Sequence, residues 1–136
     1  MQDFGLTFNH MGLALKKEDD ALKFLTGLGY NEGEQVYDPE QKVFLRICSA
    51  DNKPSIELVT AGEEEGPLTP ILKRYSELVY HTCYETKDLE ASLKAIKEAG
   101  LRVIPVSPPT PAILFGGRKV SFYTIMGFGL IEILEA

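Results

Sequence analysis

Cysteine is scarce in this chain: two among 136 residues, Cys48 and Cys83. Two thiols are too few for a disulfide framework, and both stand in apolar, strand-like runs, so they are read as reduced core residues. Basic residues are also short. Lys plus Arg number 14 against 20 Asp plus Glu, a formal charge of −6, which speaks against a nucleic-acid face and against general attraction to anionic membranes. No apolar run approaches the roughly 18 residues of a membrane span. Residues 1–15 lack the basic start and long apolar stretch of a secretion signal, so the expected location is the cytoplasm. With 44% apolar and 25% charged residues, the composition is that of an ordinary globular protein and not of a disordered one. A chain of this length makes one domain, or two small modules sharing a core. Histidine is as rare as cysteine, and the placement of the two is the most informative feature.

Residues 9–16 (NHMGLALK) alternate as a strand, with Met11, Leu13 and Leu15 on one face and His10, Gly12 and Ala14 on the other. Residues 18–28 follow helical spacing. Ala21, Leu25 and Leu28 form a stripe widened by Leu22 and Phe24, Asp19 and Asp20 suit the first turn, and Gly29 is the stop. A short strand is expected at 34–37 and a turn at Asp38-Pro39. Strands follow at 42–49 and 55–60, split by a turn at 51–54. An acidic connector, 61–66, leads to a short helix opened by prolines at 67–75. The pattern then restarts: a strand at 78–85, a helix at 88–99 with Leu89, Leu93 and Ile96 on one stripe and Gly100 as stop, and a strand at 101–106. Residues 107–111, rich in proline, are expected to form a loop outside any sheet. Strands at 119–125 and 130–135 complete the chain.

The second half repeats the first. His81 follows His10 by 71 positions (81 − 10), and the same offset relates Leu22 to Leu93, Leu25 to Ile96 and Gly29 to Gly100. The last strands, Ile56-Glu57-Leu58-Val59 and Ile131-Glu132-Ile133-Leu134, are 75 apart (131 − 56), a drift that loops absorb. The expected fold class is therefore α+β, two tandem βαβββ modules. Module 1 spans about 6–60, a connector about 61–77 and module 2 about 78–136. Neither module is large enough to be stable alone, so they are expected to pack as a single domain over 1–136.

Both histidines fall early in a module's first strand, and a glutamate stands between aliphatic residues in each module's last strand. Two modules related by a pseudo-twofold would bring His10, Glu57, His81 and Glu132 around one point. Two imidazoles and two carboxylates form a mixed N/O donor set suited to Ni²⁺, Co²⁺, Mn²⁺, Fe²⁺ or Zn²⁺, with room for water or substrate. The competing explanation is plain: I-E-L and I-E-I also describe any antiparallel strand with one wet face. What favours ligands is that the only two histidines are in phase with the repeat, and that Gly12 and Ala14 leave volume beside His10.

The segments NHMGLAL, ALKFL with the LGY that follows, SIELV, YHTCYE, the second helix and GLIEIL together resemble the vicinal oxygen chelate superfamily, also called the glyoxalase/bleomycin-resistance/dioxygenase fold. The resemblance covers nearly the whole chain. It implies a curved half-open barrel around a divalent metal held by His10, Glu57, His81 and Glu132. Members of the bleomycin-resistance branch bind drugs without a metal, and extradiol dioxygenases hold iron with two histidines and one glutamate. Four filled positions point to the glyoxalase I and methylmalonyl-CoA epimerase branches. The connector Gly66-Pro67-Leu68-Thr69-Pro70-Ile71-Leu72 is similar to the S-P-I-x-x-F-L segment of epimerases, and residues 115–120 (FGGRKV) to their G-G-x-R-V-x-F stretch. Tyr80-His81-Thr82 departs from their His-His-Ile/Met, and 108–112 from their P-x-G-A-x-G loop.

For function, the resemblance implies a metal-dependent enzyme that abstracts an α-proton and passes through an enediolate. The first expectation is epimerisation or isomerisation of a small acyl thioester. The alternative is glyoxalase I (lactoylglutathione lyase) chemistry on a thiol hemithioacetal. The third is a small-molecule binding protein without turnover. The base is expected to be Glu132 or Glu40, since Asp38-Pro39-Glu40-Gln41-Lys42-Val43 looks like the epimerase segment that supplies a catalytic glutamate; a solvated turn is the other explanation of Glu40. Lys73-Arg74 and Arg118-Lys119 are the candidate basic patch for an acyl-CoA. A homodimer is expected, to cover open sheet edges.

Overall fold

A computed structural model describes residues 2–136. Among them are nine strands: β1 Leu6–Leu15, β2 Asn31–Glu32, β3 Val36–Asp38, β4 Val43–Ala50, β5 Lys53–Ala61, β6 Glu77–Thr86, β7 Val103–Pro111, β8 Lys119–Ile125 and β9 Gly129–Glu135. Three helices are interspersed: α1 Asp19–Gly27, α2 Thr69–Arg74 and α3 Leu89–Glu98. The class is α+β, as the sequence implied. No helix among the described residues is long and apolar enough to cross a membrane. The chain divides into two compact units, one of residues 10–80 and one of the N-terminal residues up to Asn9 together with His81–Ala136.

In the unit of residues 10–80, the strand order is β2-β4-β5-β1, with β3 also on β4. β1 and β5 run parallel, and β4 is antiparallel to β5. Side chains alternate across this sheet. One face packs against α1, where Leu15, Leu25, Tyr30, Cys48 and Leu58 form the buried core with Leu13, Leu22 and Ile56 at its margin. The opposite face carries Val43, Leu45 and Val59, all buried, and with them Ala14, His10 and Glu57. The helix ends where expected, at Gly29, whose φ of 96° is a conformation that costs glycine little.

A half-buried cation anchors this unit and was not foreseen. Arg46 on β4 donates Nε and Nη2 to the carboxylate of Glu18, at 2.7 Å for the shortest contact, and Nη1 to the Gly33 carbonyl at 2.8 Å. The hydrogen bond to Glu18 raises the Arg46 pKa above its ordinary value, so this side of the pair is lost only as pH rises past the usual arginine range. Both side chains are about 15% exposed (14% and 15%), shielded enough for the contact to matter. Arg46→Met is expected to cost about 2–3 kcal/mol of unfolding free energy, read as a lower urea midpoint with an unchanged slope. A loss below about 0.5 kcal/mol would place it among ordinary surface ion pairs.

The other unit repeats the design. Its strand order is β6-β9-β8-β7, with β6 and β9 parallel and the other pairings antiparallel. Ile96, Tyr123, Ile125, Ile131 and Ile133 form the core beneath α3. Phe4 and Leu6 pack against that cluster, which explains why the N-terminal residues go with this unit. Asp88 caps α3, accepting from the Ala91 N–H at 3.0 Å, and Gly100 (φ 88°) ends the helical segment. Cys48 and Cys83 are both buried and form no disulfide. Burial pushes the Cys48 thiol up and keeps it protonated.

One expectation fails here. Residues 107–111 belong to strand β7, prolines included, and not to a loop. β7 is an edge strand whose ladder is with β8. An edge strand needs N–H donors on one side alone, and the adjacent Pro108 and Pro109 fall inside the irregular stretch between Ser107 and Thr110, where the ladder is interrupted. The cost shows as register shifts between Pro105 and Ser107 and between Ser107 and Thr110.

Candidate metal centre

The same local geometry occurs in both units. In the parallel ladder of β1 and β5, Gly12 faces Glu57 and His10 faces Ser55. In that of β6 and β9, Cys83 faces Glu132. Each histidine therefore lies two residues before the position opposite its glutamate, on the same sheet face. It reaches the carboxylate diagonally, across a small residue, Gly12 in one unit and Cys83 in the other. The Nε2 of His10 lies 3.7 Å from Oε1 of Glu57, and the Nε2 of His81 lies 3.2 Å from Oε1 of Glu132.

All four side chains are withdrawn from solvent: His10 is 0% exposed, Glu57 4%, His81 3% and Glu132 3%. The wet-face explanation of I-E-L and I-E-I is therefore excluded. A buried carboxylate among aliphatic side chains is costly unless a proton or a cation balances it. The donor set fits a divalent cation. Ligands about 2.1 Å from one ion and at right angles are about 3.0 Å apart, and at the tetrahedral angle about 3.4 Å, which brackets the closer pair and approaches the wider one. Imidazole nitrogen and carboxylate oxygen suit a borderline ion, and an N/O set leaves positions for substrate oxygens.

The remaining candidates stand elsewhere. Glu40 is exposed in the turn between β3 and β4 and belongs to neither pair. The turn is held by Asp38, 2% exposed, whose Oδ1 accepts from the Glu40 N–H at 2.9 Å. Arg118 is engaged: Nη2 donates to Glu85 at 2.6 Å and Nε to the Glu135 carbonyl at 2.9 Å. It ties the residue before β8 to β9 and to β6, and of the basic residues proposed for an anionic substrate Lys73, Arg74 and Lys119 remain exposed. Phe122 was missed. It sits directly opposite Glu132 in the ladder of β8 and β9, and its ring meets the His81 ring edge-on, centroids 5.5 Å apart. The alternation of residues 119–125, which sets Val120, Phe122 and Thr124 on one face, was the signal available in the sequence.

Known proteins share this fold. Residues 9–122 match the sequence model of the Glyoxalase/Bleomycin resistance protein/Dioxygenase superfamily. An ethylmalonyl-CoA/methylmalonyl-CoA epimerase of Cereibacter sphaeroides is 30% identical over 103 residues, covering 74% of this chain and 76% of that protein. The crystal structure of methylmalonyl-CoA epimerase from Mycobacterium tuberculosis is similar with a TM-score of 0.79 over 99% of this chain and 91% of that one; at 18% identity this is a likeness of fold. A hypothetical protein from Bacillus halodurans is similar with a TM-score of 0.78 at 25% identity, covering 96% of this chain and 94% of that one.

Proposed function

Because the chain belongs to the glyoxalase/bleomycin resistance protein/dioxygenase superfamily, we propose that it is a divalent-metal-dependent epimerase of a small acyl-CoA thioester, of the methylmalonyl-CoA type. The observation that carries this reading is the duplicated diagonal His–Glu pair, buried and in the same register in both units. The Cereibacter sphaeroides relative supplies the substrate class. In this reading residues 1–136 act as a single domain, and His10, Glu57, His81 and Glu132 hold one ion.

When bound, a divalent cation acts as a Lewis acid on substrate oxygens and lowers the cost of removing the neighbouring proton. The chain's own residues do the rest. His10 and His81 contribute neutral donors on rigid strands, so the ligand geometry is set before substrate arrives. Val59 and Leu45 lie next to Glu57 on its sheet face, and Leu134 and Cys83 flank Glu132, all buried; these apolar walls exclude water and strengthen electrostatic interactions. Epimerisation takes a proton from the α-carbon and returns one to its opposite face. In this reading a carboxylate serves, and the candidates are Glu132, beside His81, and Glu40, exposed at its turn. The exposed Lys73, Arg74 and Lys119 offer charge to the phosphates of a coenzyme A tail.

The test is isotopic. Metal-loaded protein incubated with methylmalonyl-CoA in deuterium oxide is expected to place deuterium at the α-carbon of an otherwise unchanged thioester, followed by mass spectrometry. Inactivity there, with conversion of methylglyoxal plus glutathione to the lactoyl thioester, would replace the proposal by glyoxalase chemistry. Silence in both assays from metal-loaded protein would remove the proposed substrate class.

A further inference from the structure

The two units hold their pairs with different neighbours. The residue opposite Glu57 in the ladder of β4 and β5 is Ile47, and the residue opposite Glu132 in the ladder of β8 and β9 is Phe122. The duplication itself therefore does not call for an aromatic side chain at this place. Yet the Phe122 ring stands almost perpendicular to the His81 imidazole, at 87°, with centroids 5.5 Å apart. That is the geometry aromatic quadrupoles prefer, and it restricts rotation of the smaller ring about its own χ2. His81 is also half of the closer pair, 3.2 Å against 3.7 Å.

From this contact we infer that Phe122 is a positioning residue: it fixes the plane of the His81 imidazole so that Nε2 is aimed beside the Glu132 carboxylate before any ion arrives. The inference rests on the metal reading proposed above. A ligand held in its productive rotamer loses less side-chain freedom on binding, and that saving appears as affinity. Phe122 touches no reacting atom in this role. It acts through His81, and Val120 and Tyr123 on either side of it are buried and anchor β8 independently.

The test uses the full chain. With two histidines, ring-proton and ring-nitrogen NMR spectra of the metal-free protein are simple, and His81→Ala assigns them. Wild type is expected to show one sharp, ring-current-shifted set for His81. Phe122→Leu keeps apolar bulk without a ring; its His81 signals are expected to lose that shift and broaden, while those of His10 stay put. Titration with Co²⁺ alone, followed by its visible absorption, is expected to give a Kd about tenfold weaker in Phe122→Leu. Phe122→Tyr, which keeps the ring, is expected to restore both. Thermal melting checks that the variants fold, and Phe122→Met replaces Phe122→Leu if the latter does not. Unchanged His81 spectra and Co²⁺ affinity in the ringless variant would overturn the inference alone. A wild type that binds no Co²⁺, its His81 ring nonetheless fixed, would overturn the metal reading and with it the purpose assigned to Phe122.

Discussion

Glu132→Gln is expected to lower α-proton exchange into methylmalonyl-CoA by about a thousandfold, within the range that a positioned general acid–base group supplies. The substitution keeps the shape of the side chain opposite Phe122 and Cys83 and removes its negative charge. It thereby removes both a proton acceptor and an anionic donor, and metal content must be measured beside the rate. Retention of the ion with loss of exchange would assign Glu132 as the base. Loss of both would make it a ligand first, and Glu40→Gln then decides: the exposed turn carboxylate, if it is the base, should carry a comparable loss with the metal retained. Exchange within about twofold of wild type in both variants would exclude carboxylate catalysis from either position.

His81→Ala is expected to reduce bound divalent metal from about one ion per chain to near none, measured by elemental analysis after dialysis. Its imidazole is 3% exposed, so truncation leaves Glu132 facing an apolar surround and one donor fewer for any ion. A ligand that binds only the folded chain stabilises it by about 2.7 kcal/mol at a hundred times its Kd, worth about 9 °C in melting temperature for a chain of this size. Chelation should therefore lower the melting temperature of wild type and leave that of His81→Ala unmoved. Acidification should release the ion from wild type, because imidazole and carboxylate bind metal only when deprotonated. Equal metal content in wild type and His81→Ala would refute the ligand assignment.

Much of the architecture is encoded locally, and for that reason it was legible. The stops at Gly29 and Gly100 depend on one residue's backbone freedom, and both glycines adopt positive φ. The helical stripes of 18–28 and 88–99 follow from spacing along a single segment. The phase of His10 with His81, and of Glu57 with Glu132, is visible because the duplication preserves strand position. Two residues of offset on a strand restore the same face, so the local pattern already set Gly12 and Ala14 beside His10.

What tertiary structure decided are matters of which strand lies beside which. A proline-rich segment reads as a loop until its place at a sheet edge is known, because the prohibition on proline concerns ladder bonds that β7 does not need on its outer side. The association of Phe4 and Leu6 with the Ile96 cluster separates the opening residues from the unit that follows them, a contact of long sequence separation with no local signal. Arg46 looked like any strand cation, and its pairing with Glu18 spans 28 positions. Burial settled what I-E-L could not, since a carboxylate on a wet face and one in a core have the same neighbours in sequence. Phe122 gained its place against His81 because β9 carries β6 on one side and β8 on the other; strand order is a global property, and no periodicity along a single strand contains it.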